Sequence, residues 1–96
     1  MKWLESIYVQ VNTGQHRDVR HHLKDLARQI MASGQYPDLY SAEVFGHASL
    51  KGDHILTLTW YRQNMSWPGS ALGLQIKEIM QHYGLTDHTI WYAVPL

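Results

Sequence analysis

Apolar and polar residues alternate along four segments of the chain, and this period of two is typical of β-strands with one buried face. The segments are residues 4–11, 40–50, 54–62 and 88–96. The tripeptide "KGD" separates the second segment from the third, and its glycine, Gly52, can adopt the backbone angles of a tight turn. The sequence therefore predicts four strands, of which the middle two form a hairpin.

Two other segments carry apolar residues at helical spacing. The first runs from His16 to Ser33 and is followed by Gly34, a residue that commonly ends helices. The second begins after Ser70, which can cap a helix amino terminus, and reaches Tyr83. Gly84 follows it as the expected carboxyl-terminal cap.

The resulting order, β-α-β-β-α-β, predicts one ferredoxin-like α+β sandwich over residues 1–96: a four-stranded antiparallel sheet with two helices on one face. With "KGD" as the turn, Val44 should lie opposite Trp60 and Ala48 opposite Leu56. Each strand offers apolar residues to the helices, namely Ile7, Val9, Val11, Ala42, Val44, Leu56, Leu58, Trp60, Ile90 and Val94.

Composition narrows the possible partners. Eight Lys and Arg residues balance eight Asp and Glu residues, so the chain lacks the basic excess that nucleic-acid binding usually requires. It has no cysteine, and no apolar run approaches the roughly 20 residues that span a bilayer. We therefore expect a cytoplasmic protein that binds neither nucleic acid nor membranes.

The sheet face away from the helices is the main functional clue. It mixes aromatic and polar side chains, and a face of this kind is usually covered by RNA, by a second subunit or by a ligand. The predicted members of this open face are Tyr8, Gln10, Glu43, Phe45, His47, Thr57, Thr59, Tyr61, Thr89 and Trp91.

The segment "IYVQVN" resembles the first-strand motif of RNA-recognition modules, with Tyr8 at the base-stacking position. In that family the third strand supplies a basic residue, a glycine and two further aromatic rings. Here "KGDHILTL" supplies Lys51 and Gly52, but Asp53 and Ile55 stand where the rings belong. RNA binding is therefore only a remote alternative.

The overall pattern, with "HILTLTWYR" as third strand, resembles the dimeric α+β barrel superfamily, which includes antibiotic-biosynthesis monooxygenase-like proteins. The resemblance implies a homodimer whose sheets pack face to face. It also implies cofactor-independent oxidation of a small aromatic substrate in a pocket between helices and sheet. The charged, His-containing segment that commonly follows this strand is replaced by "QNMSWPGSALG".

Two functions therefore stay open. The first is a binding module, dimeric through the open face, for a small molecule or protein partner; the second is a monooxygenase-like enzyme. We expect no cofactor and no metal site, because His21 and His22 do not share a helix face and lie among cations. The candidate ligand-binding residues are Tyr8, Gln10, His47, Tyr61 and Trp91.

Overall fold

A computed structural model describes residues 1–11, 13–61, 64–65 and 67–96. Its strands are β1 (Lys2–Val11), β2 (Leu39–Gly46), β3 (Asp53–Tyr61) and β4 (Gly84–Tyr92). Its helices are α1 (His16–Ser33), preceded by a 3-10 turn (Thr13–Gln15), and α2 (Ala71–Gln81). The predicted ferredoxin-like order is confirmed. Arg62, the predicted end of the third strand, lies outside the described residues.

The four strands form one antiparallel sheet in the order β2-β3-β1-β4, so β1 and β3 are central and β2 and β4 are edges. The predicted inward residues Ile7, Val9, Leu56, Leu58 and Trp60 are buried, as are the apolar faces of both helices. Helix α1 packs mainly on β2 and β3, and α2 on β1 and β4. The helices therefore cover one face and leave the other open.

The predicted register of the β2–β3 hairpin is wrong by four residues. Val44 lies opposite Leu56, not Trp60, and β2 already ends at Gly46. The reason is the connecting loop, which is longer than "KGD": the His47 amide donates to the Asp53 carbonyl, and the Asp53 amide donates to the Leu50 carbonyl. A shift by an even number of residues keeps every side chain on its predicted face.

The predicted bounds of the last strand are also wrong. Gly84 is the first residue of β4 and does not cap α2, which ends at Gln81. A Cβ atom on Gly84 would lie 1.8 Å from the backbone oxygen of Gln10, so a glycine is needed where β4 meets β1. Val94, predicted as a core residue, lies beyond β4 and is exposed.

Candidate functional site

The open face of the sheet carries large apolar side chains that the chain itself does not cover. Phe45 is 47% exposed and Trp91 60% exposed. The other large exposed side chains on this face are Tyr40, Tyr61 and Leu85. Tyr40 and Tyr61 pack edge to face, with ring centroids 5.1 Å apart.

Three of the five predicted ligand-binding residues lie at one end of this face. Tyr8 and Gln10 project from β1, and the Tyr8 hydroxyl donates a hydrogen bond to Asp53 Oδ2. The Gln10 amide nitrogen lies 3.4 Å from the same oxygen. His47 follows β2 and lines a cavity of about 120 Å³ together with Tyr8, Phe45 and Asp53.

Tyr8 also separates that cavity from a second one. The second cavity, of about 210 Å³, is lined by Tyr8, Gln10, Leu85, Thr86 and Asp87. We call the two cavities and the residues around them the Tyr8 site. The hydrogen bond to Asp53 is the largest cause that raises the pKa of Tyr8 above its usual 10.0; burial and the Asp53 charge add to it, and Gln10 opposes it.

His47 has a structural task in addition to its place in the cavity wall. Its Nδ1 atom accepts hydrogen bonds from the amides of Ser49 and Leu50, each at 3.1 Å. The ring therefore organises the β2–β3 loop. The register predicted from the sequence would place His47 opposite Thr57. This position is wrong, because Thr57 faces Glu43 and His47 lies beyond the end of β2.

Tyr61 and Trp91 lie far from the Tyr8 site. Tyr61 pairs with Lys2, six positions before Tyr8 on β1, which corresponds to about 20 Å at the usual strand rise. Trp91 pairs with Leu4 and donates its ring N–H to Thr89. The structure therefore brings Tyr8, Gln10 and His47 together and does not bring Tyr61 or Trp91 to them.

The helix-covered side holds a polar cluster that the sequence pattern did not reveal. Glu5 is fully buried, and its carboxylate accepts hydrogen bonds from Trp60 Nε1 at 2.9 Å and from the amide and hydroxyl of Ser70 at 2.9 and 2.5 Å. His88 Nε2 lies 2.9 Å from Glu5 Oε1. We call Glu5, Trp60, Ser70 and His88 the Glu5 cluster.

The chemistry of the Glu5 cluster follows from its partners. His88 Nδ1 is buried without a hydrogen-bond partner among the described residues. If the ring is neutral and carries its one proton on Nε2, the buried Nδ1 atom has only a lone pair. If the ring is cationic, Nδ1 also carries a proton, and this N–H group would be buried without an acceptor. Glu5 also lies at the amino terminus of α2, where backbone N–H groups favour a negative charge. The arrangement suits an anionic Glu5 beside a neutral His88.

The signal for this cluster was present in the first strand. Inward positions of β1 read Trp3, Glu5, Ile7 and Val9, so a carboxylate interrupts an otherwise apolar series. A buried carboxylate needs hydrogen-bond donors. Sequence spacing alone could not supply them, because the hydroxyl and imidazole partners come from positions 65 and 83 residues away.

A third cavity, of about 390 Å³, opens next to the Glu5 cluster. It lies between the segment before β2 and the start of α2, and we call it the helix-side cavity. Trp60 and Ser70 belong to its wall, and both are bonded to Glu5. The remaining lining residues are Gln35, Tyr36, Pro37, Asp38, Ala71 and Leu72.

His54 lies under the sheet at the Tyr8 end and is 1% exposed. Arg20 Nε donates to its Nε2 atom at 3.1 Å. Burial is the largest cause that lowers the pKa of His54 below its usual 6.5, and the charge of Arg20 lowers it further, while the Gly52 carbonyl opposes both. Burial and Arg20 together therefore favour the uncharged form of the His54 ring.

Within the described ranges, no three His, Asp or Glu side chains are grouped so that they could hold a metal ion. Over the same part of the chain, neither helix combines the length and the apolar character needed to cross a membrane.

Comparison with known proteins identifies solved structures with a similar fold but no family that matches by sequence. No protein-family model matches the chain, and no curated protein sequence matches it. Three solved structures match, each with a TM-score of 0.67. A Deinococcus radiodurans protein, provisionally named as an antibiotic biosynthesis monooxygenase, is 14% identical, and the match covers 98% of this chain and 94% of that one.

The other two matches are similar in extent. A Bacteroides thetaiotaomicron protein of unknown function, named as a possible oxidoreductase, is 13% identical over 94% of this chain and 95% of its own. Rv0793 from Mycobacterium tuberculosis is 13% identical, and the match covers 100% of this chain and 98% of that one. The chain therefore has the ferredoxin-like α+β fold shared by these three proteins, including the monooxygenase-like one.

Proposed function

We propose that the protein is a dimeric ferredoxin-like binding module, in which a second copy packs on the open face and a small molecule binds at the Tyr8 site. The observation that carries this proposal is the set of large exposed apolar side chains on the open face, Phe45 and Trp91 among them. Monomeric proteins rarely leave such a patch to water. A second copy of the chain presents the same patch, so packing the two open faces together would bury the patch of each copy.

The charge of the chain supports self-association. Its formal net charge is zero, so two copies do not repel each other at long range. The chemistry at Tyr8 argues against RNA as the covering partner. Asp53, bonded to the Tyr8 hydroxyl, places a negative charge beside the ring on which a base would have to stack.

The Tyr8 site supports the small-molecule part of the proposal. Its cavities combine apolar walls with an amide and a carboxylate, the usual make-up of a ligand site. Each cavity is smaller than the roughly 300 Å³ of typical ligand pockets. A ligand of few atoms therefore fits, and a second subunit on the open face would enclose it.

Light scattering tests the dimer. At micromolar concentration we expect twice the chain mass of 11.2 kDa. Phe45→Ser and Trp91→Ser should shift the mass towards the monomer, because each removes apolar area from the open face. Trp67→Ser is the matched control, since Trp67 is 82% exposed but lies in the segment before α2. A monomeric wild-type protein at this concentration would refute the dimer.

The second candidate function is cofactor-independent oxidation of a small aromatic substrate. The helix-side cavity favours it, since Trp60 and Ser70 in its wall adjoin the buried carboxylate of Glu5. An oxygen electrode with hydroquinone-type substrates tests it. We expect protein-dependent oxygen uptake that falls in Trp60→Phe, which loses the ring N–H. Uptake equal to that of a protein-free control would remove this candidate.

A further inference from the structure

We infer that two copies of the chain pack their open faces with the strands antiparallel about a two-fold axis, so that Lys2 of each copy meets Asp87 of the other. In this arrangement the Tyr40 and Tyr61 rings of one copy cover Phe45 of the other and close its Tyr8 site. The inference rests on the proposed dimer and names what the second copy supplies to that site.

One end of the open face carries an exposed cation. Lys2 and Tyr61 are register partners there, and the Tyr40 ring packs on Tyr61. We call these three residues the Lys2 end. Lys2 Nζ lies 5.8 Å from the Tyr61 ring centroid, so the cation stays over the open face.

The opposite end carries an exposed carboxylate. The register places Phe45, Ile55, Tyr8 and Asp87 in one row across the four strands, and we call this row the Asp87 end. Six positions of β1 separate Tyr8 from Lys2, which corresponds to about 20 Å at the usual strand rise. Lys2 and Asp87 of the same chain therefore do not meet.

The Asp87 carboxylate can accept a cation from a second copy. It forms no ion pair with another described side chain, and this includes Lys51 in the β2–β3 loop. Asp53 lies nearby but is nearly buried and already bonded to Tyr8 and Gln10, so it adds negative charge without offering a contact. The two ends of the open face are therefore complementary in charge.

Symmetry limits how two aligned sheets can pack face to face. The two-fold axis lies in the plane between them, either along the strands or across them. An axis along the strands places β2 over β4 and brings like ends together, so Phe45 would face Asp87 of the other copy. An axis across the strands places each Lys2 end on an Asp87 end.

The axis across the strands also matches the apolar side chains. It keeps each strand over its counterpart, so Tyr40 and Tyr61 of one copy lie over Phe45 and Ile55 of the other. These rings would cover the cavity that Phe45 and Tyr8 line. Charges and apolar surfaces that agree on one arrangement fix the orientation of an interface.

Sedimentation of charge-reversed variants tests the arrangement, at pH 7.5 and in enough salt to screen long-range repulsion. Lys2→Glu and Asp87→Lys should each raise the dimer dissociation constant at least fivefold, because each turns two attractive contacts into repulsive ones. Lys24→Glu is the matched control, since Lys24 is exposed on α1, on the other side of the sheet. It should change the constant less than twofold.

Mixing the variants should restore the dimer. When Lys2→Glu and Asp87→Lys are mixed, one contact of the heterodimer joins the two introduced side chains and the other joins the two native ones, so both attract. A mixture of Lys24→Glu with Asp87→Lys has the same net charges but keeps one repulsive contact. Native mass spectrometry should therefore detect more heterodimer in the first mixture than in the second.

The closure of the Tyr8 site is tested by isotope-filtered NMR of dimers in which one copy is labelled. The Tyr61 ring of one copy should contact the Phe45 ring of the other.

The outcomes separate this arrangement from the dimer itself. If the charge reversals leave the dissociation constant unchanged, if the two mixtures give equal heterodimer, or if Tyr61 does not contact Phe45 of the other copy, the arrangement is overturned and the dimer stands. A monomeric wild-type protein would overturn both proposals.

Discussion

Glu5 and His88 meet across the β1–β4 pair with Oε1 and Nε2 2.9 Å apart, and both side chains are at least 98% buried. The same carboxylate binds Trp60 on β3 and Ser70 at the start of α2. One side chain therefore connects three strands and a helix. This role makes Glu5 the most sensitive polar position that we identify.

Glu5→Gln should lower the free energy of unfolding by about 3–5 kcal/mol, because it weakens several buried hydrogen bonds to a charged group, each worth about 1.5–3 kcal/mol. The new amide nitrogen would face donors where an acceptor is needed. Urea unfolding at pH 7.5 measures this. Glu43→Gln, an exposed carboxylate, should change stability by less than about 0.5 kcal/mol. Similar midpoints for the two variants would contradict this role of Glu5.

Gly73→Ala should destabilise the protein by about 1–3 kcal/mol although alanine favours helices. A Cβ atom there would lie 2.1 Å from Glu5 Oε1, and that oxygen is fixed by its hydrogen bonds. In a Glu5→Ala background the penalty should vanish. A double-mutant cycle measures this coupling, and an additive result would show that Gly73 is needed for another reason.

The sequence predicted more of the fold than of the site. Alternation defined which residues of β1 and β3 face the helices, because burial of one face enforces a period of two. It could not define the β2–β3 register, since that depends on how His47 and Asp53 close the loop. Tyr8 and Gln10 were predicted because alternation places them on the open face. Asp53 was not predicted, because its contact with Tyr8 depends on the register between β1 and β3.

The stability of the protein should fall below pH 6.5 in a His54-dependent way. The folded pKa of His54 is depressed, so the unfolded chain takes up a proton first as pH falls. The contribution of His54 is therefore present above pH 6.5 and is lost as pH falls through the folded pKa. Urea midpoints at pH 7.5 and 5 should differ less in His54→Gln than in wild type. His21→Gln, on the exposed face of α1, should keep the wild-type difference.

Gly84→Ala should destabilise the protein by about 3 kcal/mol, because the new Cβ would meet the Gln10 backbone oxygen and neither strand can yield without losing pairing. Gly14→Ala is the control, since a Cβ at Gly14 meets nothing within 4 Å. Thermal unfolding of both variants measures the difference. An equal melting temperature for Gly84→Ala and wild type would disprove the close approach of β4 to β1.

His47→Ala should both loosen the β2–β3 loop and weaken ligand binding at the Tyr8 site, since the ring accepts two backbone hydrogen bonds and lines the cavity. His47→Asn separates the effects, because its side-chain oxygen can still accept from the loop amides. We expect His47→Asn to recover most of the roughly 1 kcal/mol of stability that His47→Ala loses, without recovering affinity. If His47→Asn recovered the full ligand affinity, the role of His47 would be limited to holding the β2–β3 loop.

The pairing of β1 with β4 has a consequence for how the chain is made. The Glu5–His88 contact spans 83 residues, so β1 is synthesised well before β4 and must wait for it before one of its edges is paired and the Glu5 carboxylate meets His88. Contacts of such sequence separation slow folding. Until β4 is synthesised, β1 has an unpaired edge that can join other chains. Nascent chains that stop before residue 84 should therefore depend on chaperones far more than the finished protein does.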